Sequence, residues 1–276
     1  MAENPLNRSI DELKQTASLL RLNSIKAIHD AASGHPGGSC SAADIVTALY
    51  FRIMRHDPKR PDWPERDRFI ISKGHGVPVV YAAMAEAGYF PEEELWSLRK
   101  IDTRLQGHPS VKDLPGIEAS TGSLGQGLSV GVGLALSFKI DSVDSRVFVL
   151  LGDGEVQEGQ VWEAAMFARQ HKLSKLTAIL DYNRLQLDGP TAEIIDLEPV
   201  LDKWRAFGWR AVEIDGHDIS EIVEALDDAG NHDESPTMII ARTVKGKGVS
   251  FMENNNDFHG MAPTDDELAL AIEELS

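Results

Sequence analysis

Two rhythms of apolar and polar positions run along this chain. Val147 to Leu151 and Leu176 to Leu180 are short unbroken apolar runs, each predicting a strand buried on both faces. Between them, Glu158 to Lys172 repeats at helical spacing, with Val161, Trp162, Ala165, Phe167 and Ala168 expected to face inward. The result is a βαβ unit. Asp67 to Ser72, Trp209 to Ile214 and Thr237 to Thr243 predict further strands. Helical periodicity fills the intervals. Ser9-Ile10-Asp11-Glu12 is a capping box opening a helix that should run to about Ser33, with Leu13, Ala17, Leu20, Ile28 and Ala31 on its apolar side. Ser41-Ala42-Ala43-Asp44 is expected to cap the next helix, and Thr121 to Gly127 leads into an apolar one containing Gly131 and Gly133. A helix near Leu197 to Phe207 follows, and Asp218-Ile219-Ser220-Glu221 and Thr264-Asp265-Asp266-Glu267 cap two more. Strands alternating with helices predict an α/β fold, a mostly parallel sheet with helices on both faces. Residues 1–276 are expected to form a single domain, with 1–8 a loose N-terminal arm.

The polar residues that end the apolar runs are the first candidates for chemistry. In a βαβ unit, ligands sit beyond the carboxyl ends of the strands. Asp153, in Gly152-Asp153-Gly154, and Asn183, in Asp181-Tyr182-Asn183, each stand just past a strand and should face one crevice. A carboxylate and an amide oxygen are hard ligands of the kind Mg²⁺ or Ca²⁺ takes, and two protein ligands leave room for a substrate phosphate. Gly154 lacks a Cβ that would keep a phosphate from the backbone N–H groups at the helix entry. Taken as an isolated triplet, Gly-Asp-Gly reads equally as a turn with Asp as its cap. Histidines also follow strands or turns: His35 on the turn after the first helix, His75 past the strand ending at Ser72, His108 in an aperiodic loop from Asp102 to Pro115, and His259 after a polar asparagine-rich loop. Loops held by a rigid scaffold often carry function.

Charge narrows the field. With 44 acidic against 27 basic side chains in 276 residues, the formal charge of −17 repels nucleic acid and anionic membrane, so anionic ligands need local cations. The uncharged stretch from Ala119 to Phe138 is too rich in glycine and serine for a membrane span. One cysteine, Cys40, excludes an internal disulfide and suits a reducing compartment. No charged-then-apolar leader opens the sequence, and a cytoplasmic location is expected.

Six words in order give these residues a context: Ser33-Gly34-His35-Pro36-Gly37-Gly38, Ser72-Lys73-Gly74-His75-Gly76, Gly107-His108-Pro109, Thr121 to Gly127, Gly152 to Gly159, and Lys245-Gly246-Lys247-Gly248. Gly-Asp-Gly followed by Asp-Tyr-Asn resembles the thiamine-diphosphate motif, and the whole series resembles the amino-terminal half of a transketolase. The sequence stops at Ser276, where full-length members continue into a pyrimidine-binding domain, so it resembles the small subunit of a split transketolase. That resemblance implies ketol transfer between sugar phosphates with thiamine diphosphate and a divalent ion. It also implies a partner chain carrying the pyrimidine-binding domain, in an assembly with two copies of each. Asp153, Asn183 and the Leu185 carbonyl match metal ligands. His75, His259, Gly154 and Lys245 match residues at the diphosphate; Gly122, Leu124 and Leu187 match residues against the rings. His35 and His108, with His259, match residues that act on substrate. Glu158, grouped with the cofactor-binding residues, matches a carboxylate that joins the subunit-interface network rather than a ligand. A nicotinamide enzyme would need Gly-x-Gly-x-x-Gly, which Gly125-Gln126-Gly127-Leu128-Ser129-Val130 lacks. A deoxyxylulose-phosphate synthase-like half, an enzyme for a sulfo-sugar or other specialised donor, and a non-catalytic assembly subunit are the alternatives that remain.

Overall fold

The computed structural model describes residue 4 and residues 6–276. Five strands form the main sheet: β1 (Arg68–Ile71), β2 (Val147–Gly152), β3 (Leu176–Tyr182), β6 (Arg210–Asp215) and β7 (Thr237–Arg242). Between β3 and β6 a two-residue hairpin, β4 (Leu185–Gln186) and β5 (Gly189–Pro190), stands apart. The main sheet is parallel throughout, in the order β1-β2-β3-β7-β6. Its central strands are apolar on both sides because both sides are covered. Phe148, Leu150, Ile179 and Ile239 point into one core, and Val149, Leu151, Leu180 and Ile240, one position out of step, into the other.

The first core lies under α1 (Ile10–Asp30), α3 (Ala43–Ala48), α4 (Val77–Ala87) and α9 (Ile219–Asn231); the second lies under α5 (Gln126–Asp141), α6 (Gly159–Gln170) and α8 (Val200–Ala206). The capping boxes at Ser9 and Thr264 form as read, and Asp218 accepts from the backbone N–H of Ser220 and Glu221. α5 tolerates Gly131 because a Cβ there would meet Val149 Cγ2 at 2.5 Å. A third, small cluster of Ile25, Cys40, Val249, Met252, Phe258 and Ala271 pins the asparagine-rich loop to α1, α2 (Pro36–Ser41) and α10 (Asp265–Leu275), and so sets the approach to His259.

Half of the arm expected over 1–8 lies outside the described residues; in the other half, the Asn4 amide donates to the Tyr50 carbonyl, and the Arg8 guanidinium lies 4.2 Å from the centre of the Phe51 ring. Three expectations are corrected. Ser41 caps no helix, because its hydroxyl turns inward to Asp181 and the Gly38 carbonyl and belongs to the short helix α2. Phe167 faces out at 45 % exposure, its ring centre 4.2 Å from that of His171, while Ala164 takes the inward place. The first helix ends at Asp30, a turn early, before Gly34 redirects the chain at φ +148°. No helix among the described residues is long and apolar enough to cross a membrane.

Candidate active site

The carboxyl ends of β1, β2, β3 and β7 all feed one cleft enclosing about 250 Å³. β2 delivers Asp153 and Gly154, and β3 delivers Asn183 with Leu185 and Leu187 behind it. The turn after β1 brings Lys73 and His75, and the chain beyond β7 brings Lys245 and His259. The turn into α2 adds His35, and the loops before α5 add His108, Gly122 and Leu124. Every candidate from the sequence therefore lines the cleft except Glu158. That side chain is exposed at the start of α6, and its place in the wall is taken by Glu155. The reason is the single tight turn Glu155–Gln157, which points Glu155 inward and Glu158 away. Buried Glu155 accepts from Ser72 Oγ, from Gly125 N at 2.9 Å and from Gly152 N at 3.0 Å, and so ties the entrances of three elements together. The sequence alone assigns no role to Glu155 or Lys73. Both stood inside motif words, which was the only signal for them.

Among the described residues no cationic side chain bonds to buried Asp153: its oxygens accept from the backbone N–H of Gly154 (2.7 Å) and of Arg184. Burial, with the negative Asp181 nearby, pushes its carboxyl up to about 7, against the pull of those two N–H groups. Asn183 Oδ1 accepts from Leu185 N at 3.0 Å, and the Leu185 carbonyl accepts from Lys245 Nζ at 3.2 Å. Behind them, Lys73 pairs with Asp181 and donates to the Gly38 carbonyl at 2.9 Å, an ion pair fully enclosed by the fold.

Four imidazoles share the opposite wall. His35 lies 5.1 Å from His75, 5.6 Å from His259 and 6.3 Å from His108, ring centre to ring centre. Burial comes first in lowering all four. It takes His35 and His259 down to about 4, with Arg99 next for His35 and Lys245 next for His259, and sets His75 well below the usual range and His108 below it. All are thus neutral at pH 7 and can donate from one nitrogen while accepting at the other. Nδ1 of His35 is buried with no partner. Lys245 Nζ reaches His259 Nδ1 at 2.8 Å and Asn256 Oδ1 at 3.0 Å, and burial lowers it to about 8. Gly122, at φ +141°, lets the chain pass so close to His108 that a Cβ would sit 2.8 Å from that ring. In a chain of net charge −17, this cleft concentrates two lysines and four uncharged donors, as an anionic ligand requires.

Among the described residues no three His, Cys, Asp or Glu side chains cluster to chelate an ion. One carboxylate, one amide oxygen and one carbonyl instead fit an ion that completes its sphere with phosphate and water.

Residues 12–276 match the family model described as transketolase, thiamine diphosphate binding domain. The chain is thus the diphosphate-binding α/β domain of a thiamine-dependent transferase. It is 47% identical over 264 residues to a 6-deoxy-6-sulfo-D-fructose transketolase subunit of Clostridium sp. (strain MSTE9), covering 96% of each chain. It is 44% identical over 273 residues to an apulose-4-phosphate transketolase subunit of Actinobacillus succinogenes, covering 99% of each. The crystal structure of transketolase from Campylobacter jejuni superposes with a TM-score of 0.91 at 33% identity, over 97% of this chain and 43% of that one. The chain belongs to the transketolase family.

Proposed function

We propose that this chain is the diphosphate-binding subunit of a two-chain transketolase, which moves a two-carbon ketol unit from a ketose phosphate to an aldose phosphate. The observation that carries the reading is Asp153, a buried carboxyl with no cation, set beside Asn183 and the Leu185 carbonyl and facing four neutral histidines. In this reading Asp153, Asn183 and Leu185 hold Mg²⁺ or Ca²⁺. Lys245, His75 and His259 hold the diphosphate. Gly154 contributes its N–H once that group turns from Asp153 Oδ1. Gly122, Leu124 and Leu187 border the rings.

Thiamine diphosphate held by these residues would supply the nucleophilic carbon that ketol transfer needs. The chain's own part is to orient the substrate and move its protons. His35 and His108, neutral at pH 7, can take a proton from a sugar hydroxyl and return it, with His259 beside them.

The partner is a chain carrying the pyrimidine-binding domain, with two copies of each. Support comes from apolar side chains left in solvent around the cleft and on the α5 and α6 faces, among them Leu187, Ile194, Ile195, Val130, Met166 and Phe167. Both of these relatives, moreover, carry names that mark them as subunits of larger enzymes. An obligate interface of this kind buries on the order of 2,000 Å² or more. The location that fits is cytoplasmic. A specialised sulfonated or otherwise modified sugar donor is the second reading, favoured by the names of those same relatives.

Ketol transfer measured on the isolated chain, on the isolated partner and on the mixture tests the proposal. The chain alone should be inactive, and activity should rise on mixing and saturate near one partner per chain. Turnover by the chain alone at the rate of the mixture would overturn it.

A further inference from the structure

Arg99 lies behind the histidine wall and does not line the cleft, yet it touches both turns that carry His35 and His108. Its guanidinium donates to Ser33 Oγ at 2.9 Å, two residues before His35, and to the Gly107 carbonyl at 3.4 Å, next to His108. Its own backbone N–H donates to the Leu105 carbonyl at 2.9 Å, so main chain and side chain grip the same loop. The contact with Gly107 is flat and close. A Cβ on that glycine would stand 2.6 to 2.9 Å from Nε, Cζ and an Nη of Arg99.

The arginine backbone adopts φ +60°, a left-handed conformation that a branched-at-the-end side chain gains nothing from locally and that persists where the surroundings impose it. Among the described residues no carboxylate pairs with this cation. Its charge is instead felt by two rings. Arg99 is the next influence after burial in lowering both His35 and His108, and is not among the charges acting on His75 or His259. The groups facing His35 are Arg99, His75, His108, His259 and Lys245.

We propose that Arg99 is a positioning residue, a clasp that joins the Ser33–His35 turn to the Gly107–His108 turn and so fixes the spacing of the two histidines expected to handle the sugar hydroxyls. The proposal rests on the function proposed above. A planar fork suits the task, because one rigid group can bond two turns at once while its charge adds to burial in favouring the neutral form of both neighbouring imidazoles. Misplacing groups that must meet a substrate simultaneously costs rate steeply, up to about a hundredfold for an ångström.

The test uses R99Q and G107A. The second leaves the arginine in place and displaces only the far end of its flexible side chain, so it should fold even where loss of the arginine disturbs the loop. In the assembled enzyme each variant should lower kcat/KM about tenfold or more, with thiamine diphosphate affinity within twofold of wild type. In parallel, ring titrations by NMR should show the His35 and His108 pKa values rising relative to wild type, while those of His75 and His259 move less. If R99Q does not fold, G107A decides alone. A folded variant with kcat/KM within twofold of wild type, or one in which all four rings move alike, contradicts the clasp. Were assembled wild-type enzyme to transfer no ketol group, the functional reading would fall, and the ring titrations would still decide whether Arg99 governs these two histidines.

Discussion

Two buried aspartates at opposite ends of the sheet have met opposite fates. Asp67 enters β1 at the amino end, where Arg55 and Arg146 bond both of its oxygens and two backbone N–H groups add to them. Burial alone would raise its pKa, but the Arg146 charge and the Arg55 bonds outweigh burial and hold it below the usual carboxylate range. Asp153 leaves β2 at the carboxyl end and is as deeply buried, yet it has two backbone N–H groups and no cation, and its pKa rises to about 7. Folding satisfies the first within the chain. The second it leaves to be satisfied by something else, and that difference separates a carboxylate that holds the fold from one that serves a ligand.

Substitution should separate the two aspartates. Asp153→Ala should abolish ketol transfer in the assembled enzyme while changing unfolding free energy by less than about 1 kcal/mol, since the lost backbone hydrogen bonds are offset by removal of an uncompensated buried acid. Asp67→Ala should do the reverse. It strands two arginines and should cost about 3 kcal/mol in denaturant unfolding, with cofactor affinity unchanged in whatever fraction folds. If the two variants behaved alike in either assay, the distinction would be lost.

Replacing His35 or His108 by alanine should come next in size, lowering kcat/KM by about 10²–10⁴ with cofactor affinity kept, the pattern of lost transition-state stabilisation. Steady-state kinetics with a cofactor titration checks it. A mutant within twofold of wild type would return that histidine to a packing role.

Much of this arrangement could be read from the chain because the sheet is simple. Asp153 and Asn183 each follow an unbroken apolar run, and a parallel sheet brings all such ends to one rim, so their meeting needed no knowledge of side-chain packing. Glu155 and Glu158 show where that reasoning stops. They are three residues apart beside the same helix start, and only the tight turn at Glu155–Gln157 decides which one faces the cleft. Lys73 was legible as part of a word and not as a buried charge, because its partner Asp181 is 108 positions away. Phe167 fell on the inward side of an ideal helix, yet small Ala164 and Ala165 are what the crowded approach of α6 to the sheet admits. Arg99 carried no local signal. Its contacts come from the return of two loops, and a left-handed arginine has no signature in sequence.

Calorimetric titration of thiamine diphosphate into the assembled enzyme, wild type and D153N, with Mg²⁺ and with a chelator, decides whether Asp153 serves a cation. Wild type should bind with Mg²⁺ and fail to bind with the chelator, and D153N, which keeps the shape and loses the charge, should fail in both. From pH 8 to pH 6 the wild-type affinity should weaken, because the ion-free carboxyl of Asp153 takes up a proton near pH 7 that the ion must displace. Equal affinity with and without chelator, or in D153N and wild type, would contradict the assignment of Asp153 to a cation.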